Sequence, residues 1–438
     1  MNTQLEIHNA RLTSGEVVDV TISNGMIQEI HTSGSSSEAT SDGVLSINAD
    51  RQLLIPGLVD LHTHLRQPGK EGAETVLSGS QAAVLGGFTA VSAMANTSPV
   101  ADSAGVVEQV ARLGREAGLC DVFPIGAVTV GLEGKALAEL SAMAQSQARV
   151  RVFSDDGNCV HDPLIMRRAL EYVKSFGGVI AQHAQEPRLT EGAQMNEGAI
   201  SSKLGLSGWP AAAEESIIAR DILLAQHVQS RLHICHLTTK GGVELVRWAK
   251  SQGIDVTAEV TPHHLLLTDE LASHYDAVYK VNPPLRTQED VLALREGLAD
   301  GTIDIVATDH APHSSDSKEC EWDVAAFGMV GLETALSVVV ESMINTKKMD
   351  WSTLVERMSA APARIGGYAN HGQIRVGAPA NLTVIDTEAS WQVDRAELAS
   401  KSRNTPFHGL SLPAKVIHTI YNGTQVVGEG RLTGMKHG

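Results

Sequence analysis

The stretch VDLHTHLRQPG, residues 59–69, sets two histidines one residue apart in an apolar run and follows them with an arginine. In an extended strand, side chains at i and i+2 share a face, so His62 and His64 point into one space while Thr63 points away. Two neutral imidazoles held side by side suit a divalent cation. The plainer alternative is a core histidine bonded to backbone. Arg66 follows on the same face with a guanidinium fork, the group that grips a carboxylate through two parallel hydrogen bonds. A surface ion pair is its ordinary alternative.

The same chemistry returns at the ends of other apolar runs. VRVFSDD ends in Asp155 and Asp156, GVIAQHA carries His183, LHICHLT carries His236 and DIVATDH carries Asp309. Four histidines with one or two carboxylates suit one or two divalent ions with nitrogen and oxygen ligands, zinc above all. Other histidines fit less well. His263 and His264 are adjacent and would face opposite ways in a strand, His233 faces away from His236 and reads as packing, and His161, His227 and His274 read as loop or helix-surface residues.

What must position these groups is a repeated β-then-helix rhythm between about residues 53 and 370. Eight short apolar runs (LLIPGLVDLHTH, FTAVSAMAN, DVFPIGAVT, VRVFSDD, GVIAQHA, LHICHLT, DVTAEVT, DIVATDH) alternate with helix-like stretches such as EESIIARDILLAQHV. Eight such units predict a (β/α)₈ TIM-like barrel, with the polar residues at the strand ends where a barrel carries its active site. No glycine-rich phosphate turn follows the first run, which counts against an open doubly wound sheet. Alternating segments with Asn24-Gly25 and Asn422-Gly423 turns occur near both chain ends and predict one small β-sandwich domain built from residues 1–56 and 371–438, flanking a barrel at 57–370. Residues 31–43, HTSGSSSEATSDG, read as a mobile surface loop.

With 438 residues, 42% apolar and 19% charged, the composition is that of a soluble globular protein. A net charge of −17 argues against nucleic acid or an anionic membrane as partner and favours a small-molecule enzyme. No signal peptide or membrane span is read, which points to the cytoplasm, and four scattered cysteines suggest neither a disulfide framework nor a thiolate zinc site.

The combination of DLHTHLRQPG, MANTSP, FSDDG, LHICHLT, NPPLR, ATDHAPH and FGMVGLET strongly resembles the dihydroorotases of the amidohydrolase superfamily, in the bacterial type with Asp in place of a lysine ligand. The resemblance runs nearly end to end and includes NTPFHG at 404–409. It implies that His62, His64 and Asp309 hold one zinc and His183 and His236 a second, bridged by a carboxylate of FSDDG. Spacing to His183 favours Asp156, with Asp155 beside it. It implies a general acid-base role for Asp309, a substrate carboxylate held by Arg66, Asn96 and His313, and contacts to the pyrimidine ring from Asn282 and from the backbone near Phe327 and Gly328. The implied reaction is the reversible closure of N-carbamoyl-aspartate to dihydroorotate in pyrimidine biosynthesis.

A homodimer is expected by the same resemblance, and docking onto aspartate transcarbamoylase is left open. Residues 314–323, SSDSKECEWD, read as a mobile loop that could close over substrate, and alanine stands at 326 where the family often has proline. Two other readings compete: a hydantoinase or allantoinase, whose neutral ring needs no carboxylate fork, and an inactive scaffold, which would be expected to have lost metal histidines.

Overall fold

The computed structural model describes residues 4–34 and 44–434, so the serine-rich segment read as a loop lies largely outside the described residues. Among the described residues, eight strands form the central layer: Leu58–Thr63, Phe88–Ala93, Asp121–Pro124, Val152–Phe153, Val179–Gln182, Leu232–Ile234, Val256–Val260 and Ile305–Val306. Parallel ladders join the first three and the last five. Bridges from Gly126 to Phe153 and from Thr63 to His310 close both seams, giving the expected barrel.

The intervening helices bury one stripe each. Val107, Val110, Ala111 and Gly114 face inward from Ala104–Ala117, and Met166, Ala169, Leu170 and Val173 from Pro163–Lys174, at the three- and four-residue spacing that keeps them on one face. Thr75, Asp162, Thr239 and Thr287 accept hydrogen bonds from first-turn amides of the helices they precede, so each of these helices starts where its cap stands.

Both chain ends enter one nine-stranded sheet in which Leu53–Pro56 pairs with Leu382–Gln392. Alternation divides its faces: Leu54 joins Leu5, Ile7, Val20, Ile22 and Leu382 in the small domain's core, while Leu53 and Ile55 join the barrel core. The two Asn-Gly turns have the positive φ that this hairpin type requires, 52° and 79° at Asn24 and Gly25, 46° and 76° at Asn422 and Gly423. Their tips meet so closely that a Cβ on Gly423 would stand 2.7 Å from the Gly25 Cα.

Several barrel strands are shorter than the apolar runs suggested. The fourth and eighth span only two residues each, and the chain then bends across the mouth. Arg66, His236 and Asp309, which lie just past the ends of the first, sixth and eighth strands, take positive φ, at 61°, 29° and 46°. Non-glycine residues in this region are strained, and such strain concentrates at functional sites.

Candidate active site

Asp156 lies at the centre of the mouth. Its Oδ2 is 3.4 Å from His62 Nε2 and 3.3 Å from His64 Nε2, while its Oδ1 is 3.3 Å from His183 Nδ1 and 3.0 Å from His236 Nε2. Asp309 closes the first side, with Oδ1 3.0 Å from His64 and 3.4 Å from His62. All six residues are buried. Asp155 turns away and accepts hydrogen bonds from the Val128 and Thr129 amides, which leaves Asp156 as the carboxylate facing the histidines.

The rings are oriented from outside. His62 Nδ1 donates to Glu259 at 2.5 Å, His64 Nδ1 to Asn96 Oδ1 at 3.0 Å, and His183 Nε2 to Gln185 Oε1 at 2.7 Å. Pinning one nitrogen of each ring selects the tautomer that presents the other as a lone pair towards Asp156. Glu259 also receives His233 Nε2 at 3.0 Å, so His233 is part of a polar network rather than simple packing.

Charge in the cluster calls for a cation. Burial opposes a proton on His62, yet Asp156, Glu259 and Asp309 outweigh it and hold that ring well above its ordinary value. Burial and the Arg66 charge carry His64 below its own. Despite burial, the surrounding histidines hold Asp156 well below the usual carboxylate range and Asp309 down at about 2. His62 Nε2 has no hydrogen-bond partner although it is buried. His62, His64 and Asp156 form one group and Asp156, His183 and His236 another, with the ligand atoms of each group within 4.8 Å of one another. These residues fit a divalent metal: ring nitrogens, a shared carboxylate and surplus negative charge gathered at one place.

Arg66 stands at the rim, its Nε donating to the Pro312 carbonyl at 3.0 Å and its terminal nitrogens beside His313. The His313 ring, driven down to about 3 by burial and by Arg66, is neutral, and its Nε2 meets the Phe327 carbonyl at 2.7 Å. No carboxylate pairs with Arg66 among the described residues, so its charge is free for a ligand. Asn282 donates to Gln185 at 3.3 Å and leaves its buried Oδ1 without a partner. Gly328, at φ 145°, has its amide on the Lys280 carbonyl and its own carbonyl on Asn404.

Some groups were not singled out in the sequence. Glu259 is one, though its signal was there: a lone carboxylate in the apolar run DVTAEVT. His263 and His264 open the short helix Pro262–Leu266 instead of continuing a strand, and His263 Nε2 is buried and unpartnered. The 314–323 segment is not a free polar loop, because Ser315–Lys318 is helical and Lys318 and Trp322 are buried.

A closed (β/α)₈ barrel gathers histidines and aspartates at its strand ends in groups that could hold a metal ion. Solved structures of this shape include the L-hydantoinase (dihydropyrimidinase) of Arthrobacter aurescens, with TM-score 0.85 and 24% identity over 99% of this chain and 97% of that one. The dihydropyrimidinase of Brevibacillus agri superposes with TM-score 0.83 at 20% identity, covering 98% and 96%. Sequence relatives are more specific. The dihydroorotase of Streptomyces coelicolor is 64% identical over 98% of this chain and 99% of its own length, and that of Mycobacterium tuberculosis 54% over 95% and 96%. The family model described as dihydro-orotase-like matches residues 51–242. The chain belongs to the dihydroorotase family.

Proposed function

We infer that this chain is a dihydroorotase, interconverting N-carbamoyl-L-aspartate and L-dihydroorotate. The observation that carries the reading is Asp156 shared between two histidine pairs, with Asp309 against the first and unpaired Arg66 at the rim. Zinc fits the nitrogen-rich donor set, held by His62, His64 and Asp309 on one side and His183 and His236 on the other, with Asp156 between; both one and two ions are compatible with it. When bound, such an ion acidifies water and withdraws electrons from a substrate oxygen.

Asp309 is ionised at neutral pH and lies where it can take the proton of an attacking water. As the ring C–N bond breaks, the same carboxyl returns that proton to the departing nitrogen. In the closing direction the ureido nitrogen attacks the side-chain carboxylate and water leaves. Arg66, with Asn96 and His313, holds the carboxylate that does not react, while Asn282 and the backbone at Phe327 and Gly328 meet the ring.

The test is turnover of both substrates by the zinc-loaded protein, with hydantoin as control and Arg66→Ala as variant. Selective turnover of dihydroorotate that collapses in the variant is expected. Equal use of hydantoin, insensitive to Arg66, would replace this reading by a hydantoinase. By family resemblance we further propose a cytoplasmic homodimer that can dock onto aspartate transcarbamoylase; sedimentation of the chain alone and mixed with that enzyme checks both.

A further inference from the structure

Two lysines are buried beside the rim with no carboxylate paired to either among the described residues. Lys280 precedes Asn282 by two positions, and Lys318 ends the short helix Ser315–Lys318; their exposures are 1% and 5%. Lys318 Nζ donates to the Lys280 carbonyl at 2.7 Å and to the Ala326 carbonyl at 2.8 Å. Lys280 Nζ reaches back to the Trp322 carbonyl at 2.5 Å and the Asp323 carbonyl at 3.2 Å, and lies 4.4 Å from the centre of the Phe327 ring. The Gly328 amide donates to the same Lys280 carbonyl at 3.0 Å.

We propose that Lys280 and Lys318 are positioning residues that clamp the Asn282 loop to the Ala326–Gly328 backbone and so fix the ledge on which the substrate ring lies. The proposal rests on the reading that Asn282, Phe327 and Gly328 face substrate. Backbone carbonyls are the acceptors throughout, so the clamp holds main chain, the part of these loops that would hydrogen-bond a ring amide. Burying two ammonium groups whose charges oppose one another is costly. Burial and the Lys280 charge bring Lys318 to about 7, and a neutral amine keeps two N–H groups, as many as the two carbonyls it meets. A lysine needed only to fill space would be replaced at lower cost by methionine.

The test compares Lys318→Met and Lys318→Arg with the wild type, all zinc-loaded, by steady-state kinetics on dihydroorotate and by hydrogen exchange at the Gly328 amide. Lys318→Gln, which keeps an amide donor on a shorter arm, serves where the methionine variant does not fold. Loss of the clamp is expected to raise KM roughly tenfold or more, with a smaller effect on kcat, because binding common to ground and transition states is what disappears. Gly328 exchange should quicken in parallel, and arginine, which can still donate to both carbonyls, should restore part of each. Unchanged Gly328 exchange, or a lowered Tm with KM unmoved, would overturn the clamp. Absence of turnover in the wild type would instead refute the dihydroorotase reading, and the exchange experiment still decides the clamp.

Discussion

The two ends of the barrel each carry a buried histidine against an aspartate, and they are built in opposite ways. At the N-terminal end, His371 Nε2 meets Asp121 at 2.8 Å, its Nδ1 meets Thr89 at 3.2 Å, and Tyr421 donates to the other Asp121 oxygen at 2.7 Å. Every polar atom of that trio has a partner, and the contacts tie two barrel strands to the small β domain. At the C-terminal end, two histidine nitrogens face each other at 2.9 Å, His62 Nε2 has no partner, and three residues adopt positive φ. A satisfied network stabilises the fold. An unsatisfied one, held in place by the scaffold, is what remains free to bind a cation and a substrate.

Asp309→Asn puts the sharpest strain on that comparison, because it removes the proton carrier and leaves the scaffold alone. We expect turnover to fall by roughly 10²–10⁴-fold with the circular dichroism spectrum unchanged. A loss of fold instead of rate would mean that this end is structural after all. Glu259→Gln is the next largest: it weakens the partner that orients His62, and zinc affinity should drop by about 10–100-fold, read by competition with a chelating dye. Unaltered affinity would remove Glu259 from the site.

At the other end, His371→Ala should cost about 1–3 kcal/mol in denaturant unfolding by leaving buried partners unmatched, with kcat of the folded fraction unchanged. A fall in kcat would break the division of labour between the ends. The smallest effect is on pH dependence. Burial raises Asp121, but His371 and Tyr421 outweigh it and hold the carboxyl below its ordinary value of 3.8. A depressed carboxyl contributes stability that is complete above that ordinary value and is lost as pH falls through the lower folded one. Asp121→Asn should therefore be less stable than wild type near about pH 7 and lose less between there and about pH 3. Parallel losses in the two proteins would contradict the assigned direction.

Local pattern determined much of this protein. His62 and His64 were legible because a two-residue period is a property of extended chain, whereas Arg66 lies past the strand's end at φ 61° and so not on the strand face its spacing suggested. The eight runs with polar ends implied both the barrel and the end at which His183, His236 and Asp309 would meet. The Asn-Gly turns likewise carry their conformation in two residues. The spacing to His183 favoured Asp156, but only tertiary structure shows that Asp156 and not Asp155 faces the histidines, because neighbours in sequence are turned to different partners by the surrounding chain. Tertiary structure also revealed Glu259, 197 residues from the His62 it orients, and Lys280 and Lys318, whose acceptors are backbone carbonyls of other loops. A spacing rule reads side chains that share an element. Where the partner is brought in by the fold, or is main chain with no side-chain signature, the contact exists only once the barrel has closed.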